Sequence, residues 1–299
     1  MSGGHGAHGY LDVIIDHEPS SIYHGKPAPA VGSHALFDSD REAGGSLRNY
    51  YEKHVVPTEA EKEGDAFKFG RAFHAVVGEK RNLLAGTDAE FVVRPVTYRN
   101  QKGEAKAWNA NAKECEKWAA SETRTVIRHE DAVLIDRMAR EIRDDHDASE
   151  IMRDGKPEVV IRHLDQESGL QVQCRFDWID LHRMLWADFK TCDDLTWFEK
   201  DAIRYNYHRQ VAWYTRLLCD EMAWPFPNPD LKGGFIIASS KSMPWACQVF
   251  DFNPDTLIAC DKKNRAALNR LGQAYAENFW PHSTGGIRTI TAYASAPTC

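Results

Sequence analysis

Cysteine pairs, long apolar runs and nucleotide-loop signatures are all missing from this sequence, and each absence removes a class of function. The seven cysteines, at 115, 174, 192, 219, 247, 260 and 299, form no CxxC pair and no regular ladder, so neither a zinc ribbon nor a disulfide framework is expected. An iron–sulphur cluster, which wants closely spaced thiolates, is not expected either. No stretch approaches the roughly 20 apolar residues of a membrane helix. Met1 to Tyr10 lack the apolar block of a signal peptide, so a cytoplasmic protein with no membrane partner is expected. No Walker loop, GxSxG elbow or HExxH helix occurs, and ATP has no expected role. Nor is there an excess of positive charge: 37 Lys and Arg against 44 Asp and Glu give a formal net charge of −7, which counts mildly against nucleic acid. An enzyme that holds cations in a carboxylate cluster can still be acidic overall and present a local basic groove.

What remains is ordinary for a globular protein. Of 299 residues, 42 % are hydrophobic and 27 % charged, enough apolar material for a substantial core. The expected organisation is a flexible glycine-rich lead (1–10), one α/β domain with helical additions (11–280) and an irregular tail (281–299). Helices are expected near Asp65 to Val77, Ala105 to Ala120 and Glu130 to Asp145; in the last, Leu134, Met138 and Ile142 form an i, i+4, i+8 row. After Gly155-Lys156-Pro157 the period becomes alternating. Strands are expected at Glu158 to Leu164, Leu170 to Leu181 and Met184 to Lys190, as an antiparallel meander. Thr196 and Glu199 carry a capping-box signature for a helix running to about Cys219. Strands at Gly234 to Ser240 and Trp245 to Phe252 then precede a long helix announced by Asn253 and Pro254.

Alternation locates the chemistry. Val172, Cys174, Phe176 and Trp178 are expected on one face of their strand and Gln173, Arg175 and Asp177 on the other. In the next strand Trp186, Asp188 and Lys190 share a face opposite Leu185, Ala187 and Phe189. Two carboxylates on adjacent strands offer oxygen ligands that suit magnesium. A lysine two residues beyond one of them can orient or deprotonate a water, or stabilise charge on a phosphate. The plainer reading of Asp-x-Lys is a solvated salt-bridged surface, and the motif alone does not separate the two.

Its company does. Arg175-Phe176-Asp177, ten residues ahead of Trp186-Ala187-Asp188-Phe189-Lys190, resembles the PD-(D/E)xK nuclease superfamily in its D…DxK form, with Phe176 where many relatives have proline. Gly70-Arg71-Ala72-Phe73-His74 resembles the GxxxH motif, and Gln210-Val211-Ala212-Trp213-Tyr214 the QxxxY motif, of RecB-type nucleases. All four stand in the expected order. The surroundings of Lys190 and Gln210 are most similar to the RecE-type exonucleases, the exodeoxyribonuclease VIII family of phages and prophages.

That resemblance implies a restriction-endonuclease-like α/β core, with a central mixed sheet containing an antiparallel meander and flanked by helices. It implies that His74, Asp177, Asp188 and the backbone carbonyl of Phe189 bind Mg²⁺, for which Mn²⁺ substitutes. Lys190 becomes the catalytic lysine, and Glu158 adds a ligand or holds a metal-bound water. Gln210, Tyr214 and Arg175 support the site or contact DNA. The bland alternatives are a structural helix histidine at His74 and a Gln–Tyr pair that merely satisfies a buried hydroxyl. For Tyr98 to Gly103 a surface turn outweighs a DNA-facing loop. The implied activity is exonucleolytic hydrolysis at duplex DNA ends to expose single strand for recombination, in a homo-oligomer working beside a single-strand annealing protein. An endonuclease, a single-strand exonuclease and a non-catalytic DNA-end-binding factor are the alternatives.

Overall fold

The computed structural model describes residues 14–16, 18–23, 25, 30–57, 64–228, 230, 231 and 233–282. The expected lead, and the expected tail beyond residue 282, lie outside the described residues. Among the described residues no helix is long and apolar enough to cross a membrane.

Six strands make the main sheet: β1 (Ile14–Asp16), β2 (Lys156–Leu164), β3 (Gln171–Asp180), β4 (Leu185–Cys192), β5 (Gly233–Ser240) and β6 (Cys247–Phe250), paired in that order across it. The β1 to β4 pairings are antiparallel, β4 and β5 run parallel, and β6 returns antiparallel to β5. The meander and the mixed sheet are thus as expected. Local chemistry sets its turns. Between β2 and β3 the Asp165 carboxylate accepts from the Ser168 amide at 2.8 Å, and Gly169 supplies the left-handed conformation at φ +71°. Between β3 and β4 Asp180 accepts from the Arg183 amide at 2.9 Å. The parallel β4–β5 pair needs a crossover, and the helices between them provide it.

Helices cover both faces. On one side α1 (Ser33–Ser39), α4 (Tyr207–Glu221) and α5 (Pro254–Glu277) place Leu36, Leu217, Leu218, Leu268 and Leu271 against Ile161, Cys174, Phe176, Trp186 and Ile236 of the sheet. On the other, α2 (Asp65–Val77) and α3 (His129–Asp144) pack Phe73, Val76, Ile135, Met138 and Ile142 on Trp178, Leu185, Ala187, Phe189 and Ile237. Each such fully buried side chain contributes about 1.5–3 kcal/mol of transfer free energy. The α2 range is the one read from the spacing of Phe69, Phe73 and Val76. The Asn253 cap of α5 is also present, its side chain accepting from the Thr256 amide at 2.8 Å.

Three expectations fail locally. Ala105–Ala107 is a strand paired with Thr97–Arg99, and the helix starts only at Lys113, because Asn109 ties the chain into a turn by accepting from the Asn111 amide at 3.0 Å. The helix expected from Thr196 to Cys219 is two, Phe198–Arg204 and α4, separated at Asn206, which sits in the left-handed region at φ +60°. The cap before them is Asp194, which accepts from the Thr196 amide at 2.8 Å. Finally, Trp178 does not share a core with Phe176; it joins the α2–α3 side, while Ile179 rejoins Phe176. The alternation slips where the β2–β3 ladder passes from Val159↔Phe176 to Pro157↔Trp178 without a pair at Glu158 and Asp177, and Glu158 itself has φ +56°.

Candidate active site

That break in the ladder is where the ionisable groups gather. The last β3–β4 pair toward the site is Trp178↔Ala187, while β4 stays paired with β5 through Asp188 and Lys190. In the fork between β3 and β4 the Asp177 carboxylate replaces a strand: its Oδ2 accepts from the Phe189 amide at 2.7 Å. Its Oδ1 lies 3.1 Å from Nδ1 of His74 on α2. The His74 ring stands edge-on to Phe189 with centroids 5.9 Å apart. Gly78, just past α2, allows this close approach, because a Cβ there would sit 3.2 Å from both the Phe189 ring and the His74 carbonyl.

Glu158 enters from β2. Its left-handed backbone interrupts the β2–β3 ladder at this point, and its carboxylate pairs with Nε of Arg175 at 3.0 Å. Arg175 in turn lies over the Tyr23 ring, 4.8 Å from its centroid. Ligand atoms of His74, Glu158 and Asp177 all fall within 4.8 Å of one another. Asp188, only 3 % exposed, is held from α4: Nε2 of Gln210 donates to its Oδ1 at 3.2 Å and reaches the Tyr214 hydroxyl at 3.3 Å. The other Asp188 oxygen meets the Lys190 ammonium in an ion pair. Lys190 also lies 4.9 Å above the Tyr207 ring.

These groups perturb one another as a crowded set must. Burial pushes the Glu158 carboxyl up to about 7, against the pull of Arg175 and with the help of Asp177. Burial also raises Asp188, outweighing the Lys190 charge that favours its ionised form. Asp177 moves the other way: burial opposes its ionisation, but the His74 charge and hydrogen bond prevail and hold it low. His74 is raised, burial notwithstanding, by Asp177, and Lys190 is raised, burial notwithstanding, by Asp188.

Comparison with known proteins identifies the frame. The family described as a PDDEXK-like domain of unknown function (DUF3799) matches residues 47–293. The chain belongs to this family. A crystal structure of a candidate exonuclease from Eubacterium rectale superposes with a TM-score of 0.60 at 14 % identity, covering 93 % of this chain and 96 % of that one. At that identity the likeness shows a shared fold. No curated protein matches the sequence.

A PDDEXK-like core thus carries every residue that the motifs singled out, and they fall into two adjoining groups. His74, Glu158 and Asp177 form one, with Arg175 behind Glu158; Asp188, Lys190, Gln210 and Tyr214 form the other. The resemblance grouped His74 with Asp177 and Asp188 and let Glu158 add a ligand; here Glu158 lies with His74 and Asp177, and Asp188 meets Lys190 and Gln210. Phe189 contributes its amide, to Asp177. The donor set of one imidazole and two carboxylates fits a hard divalent cation, and the two raised carboxyls mark a place where a cation would relieve negative charge. Sequence reading gave no role to Tyr207, Tyr23 or Gly78. Tyr207 stood three residues before Gln210, so helical spacing could have found it; nothing local points to Tyr23 or Gly78.

Proposed function

We propose that this chain is a metal-dependent DNA nuclease working as an exonuclease on duplex ends, in the manner of the RecE-type enzymes its motifs resemble. The observation that carries the reading is the fork between β3 and β4, where Asp177 and Asp188 approach from strands that part between them, with Lys190 beside one and His74 and Glu158 beside the other.

His74, Glu158 and Asp177 would hold the cation, Mg²⁺ by preference and Mn²⁺ as a substitute, and Asp188 lies ready to share it. Bound there, the cation supplies Lewis-acid stabilisation of charge on the phosphate. Asp188 holds Lys190 in place, and the ammonium orients an attacking water and stabilises the developing oxyanion. Gln210 fixes the Asp188 rotamer, and Tyr214 fixes Gln210. Phe189 locks Asp177 so that one oxygen faces His74. Arg175 holds Glu158. We assign this work to one domain over residues 11–280, acting inside a bacterial or phage-infected cell as a homo-oligomer beside a single-strand annealing protein. The order and spacing of the four motifs support that narrower assignment.

The test is release of label from an end-labelled linear duplex in Mg²⁺ by wild type, Asp188→Ala and Lys190→Ala. Release by wild type alone is expected, with a covalently closed circle left intact; equal release by all three would refute the mechanism. Nicking of the circle would move the reading to an endonuclease, and preference for a single-stranded oligonucleotide to a single-strand exonuclease. Failure to co-purify with an annealing protein would count against that partner.

A further inference from the structure

Beyond Lys190 the surface changes character. Three large apolar side chains stand exposed within nine residues: Trp197 at 53 %, Ile203 at 59 % and Tyr205 at 52 %. Single exposed apolar residues are ordinary, but this group is contiguous along Phe198–Arg204 and its two flanks. It is also laced with positive charge. Lys200 Nζ lies 4.0 Å from the centre of the Trp197 ring, and the Arg204 guanidinium 5.4 Å from that of Tyr205. Helical spacing puts Lys200 and Arg204 on one stripe with Trp197, with the Asp201 carboxylate at the edge of that stripe and Glu199 on the opposite side of the turn.

The platform is braced from below and continuous with the site. Tyr205 neighbours Tyr207 at 5.9 Å between ring centroids; Tyr207 packs on buried Phe198 at 6.0 Å, and Phe198 stacks on Phe250 at 4.8 Å. The same Tyr207 ring faces the Lys190 ammonium. Across the left-handed Asn206, Tyr205 is exposed while Tyr207 is half-buried against the core. Two exposed aromatic rings, each with a cation beside it, fit unpaired nucleobases: the rings take the bases by stacking and the cations take the phosphates.

We propose that Trp197, Lys200, Arg204 and Tyr205 form a stacking surface for the unpaired bases of a DNA strand that leads to or from Lys190. This rests on the nuclease reading for its place in the reaction, though not for its chemistry. The test is fluorescence anisotropy in EDTA with two labelled probes, oligothymidylate and an abasic chain of equal length, on the full-length protein. Wild type should favour oligothymidylate. Trp197→Ala with Tyr205→Ala should lower that affinity about tenfold or more and leave the abasic chain unaffected, and Trp197→Phe should retain binding. These side chains are exposed, so the folded state is expected to persist; an unchanged circular dichroism melt verifies it. Oligothymidylate affinity unchanged in the double variant, or lost equally for the abasic chain, would overturn the proposal, as would no binding by wild type. Duplex cleavage by wild type with normal binding by the double variant sinks the platform alone. Base-dependent binding without any Mg²⁺ cleavage sinks the nuclease reading alone.

Discussion

Removing Asp40 should destabilise this protein more than removing its buried partner Arg209, although the two form one ion pair. Both side chains are about 2 % exposed, and Nη1 of Arg209 meets Oδ2 of Asp40 at 2.6 Å. Asp40 ends α1, Arg209 lies in α4, and α5 supplies two more members. Asn264 accepts from Nε of Arg209 at 2.9 Å and donates back to its carbonyl at 2.9 Å, and Arg270 reaches the second Asp40 oxygen at 2.7 Å. The two arginines differ in their escape routes. Arg270 is half exposed and can turn to water, whereas Arg209 cannot. Asp40→Ala therefore strands a guanidinium in the core with a neutral amide as its polar company, and stranding one partner of a buried pair costs about 3–5 kcal/mol. Against a typical total of about 5–15 kcal/mol that is a large fraction. Arg209→Met leaves Asp40 paired with Arg270 and should cost about 1–3 kcal/mol. The double variant should be more stable than Asp40→Ala alone. Urea unfolding followed by tryptophan fluorescence measures all three, and Asp40→Asn separates loss of charge from loss of the weak capping bond to the Glu42 amide. If Asp40→Ala costs no more than Arg209→Met, or if the two effects simply add, the stranded-charge argument is wrong.

Two further outcomes are expected. Burial of Asp165 opposes its ionisation, but Ser168 and Arg265 outweigh burial and hold its pKa below the ordinary value; its stabilising effect is therefore full above the unfolded-state pKa near 4 and fades as pH falls through the lower folded value. The stability gap between wild type and Asp165→Asn should shrink on acidification below about pH 4, and a gap independent of pH would refute this. If the proposed cluster of His74, Glu158 and Asp177 holds a cation, saturating Mn²⁺ should stabilise wild type by about 2.7 kcal/mol at a hundredfold excess over Kd and raise its unfolding temperature. Asp177→Asn should lose most of that gain; an equal rise in both would place the ion elsewhere.

How far the sequence was legible depended on whether a signal was local. The α2 helix was readable because Phe69, Phe73 and Val76 repeat at its own period. The helix expected across Thr196 to Cys219 was not. Periodicity carries through Arg204 and resumes at Tyr207, and a single left-handed asparagine between them leaves no mark on the hydrophobic pattern. Ala105 to Ala107 failed for a related reason: alanine and lysine suit a helix, and only pairing with Thr97–Arg99 made the segment a strand.

The candidate site divides in the same way. By itself the sequence determined that Asp188 and Lys190 share a face, since a strand has period two, and that Gln210 and Tyr214 share one, since a helix returns after four residues. It also carried the four motifs in order. Only the tertiary structure decided how these pieces meet. His74 lies 103 residues from Asp177 and Gln210 lies 22 from Asp188, and the packing of α2 and α4 on opposite faces of the sheet brings each to its carboxylate. Glu158 reaches the cluster because the β2–β3 ladder breaks there, which also moves Trp178 to the other core. Period is a property of one element, whereas a break in a ladder is a compromise among its neighbours, so it appears only when they are packed together.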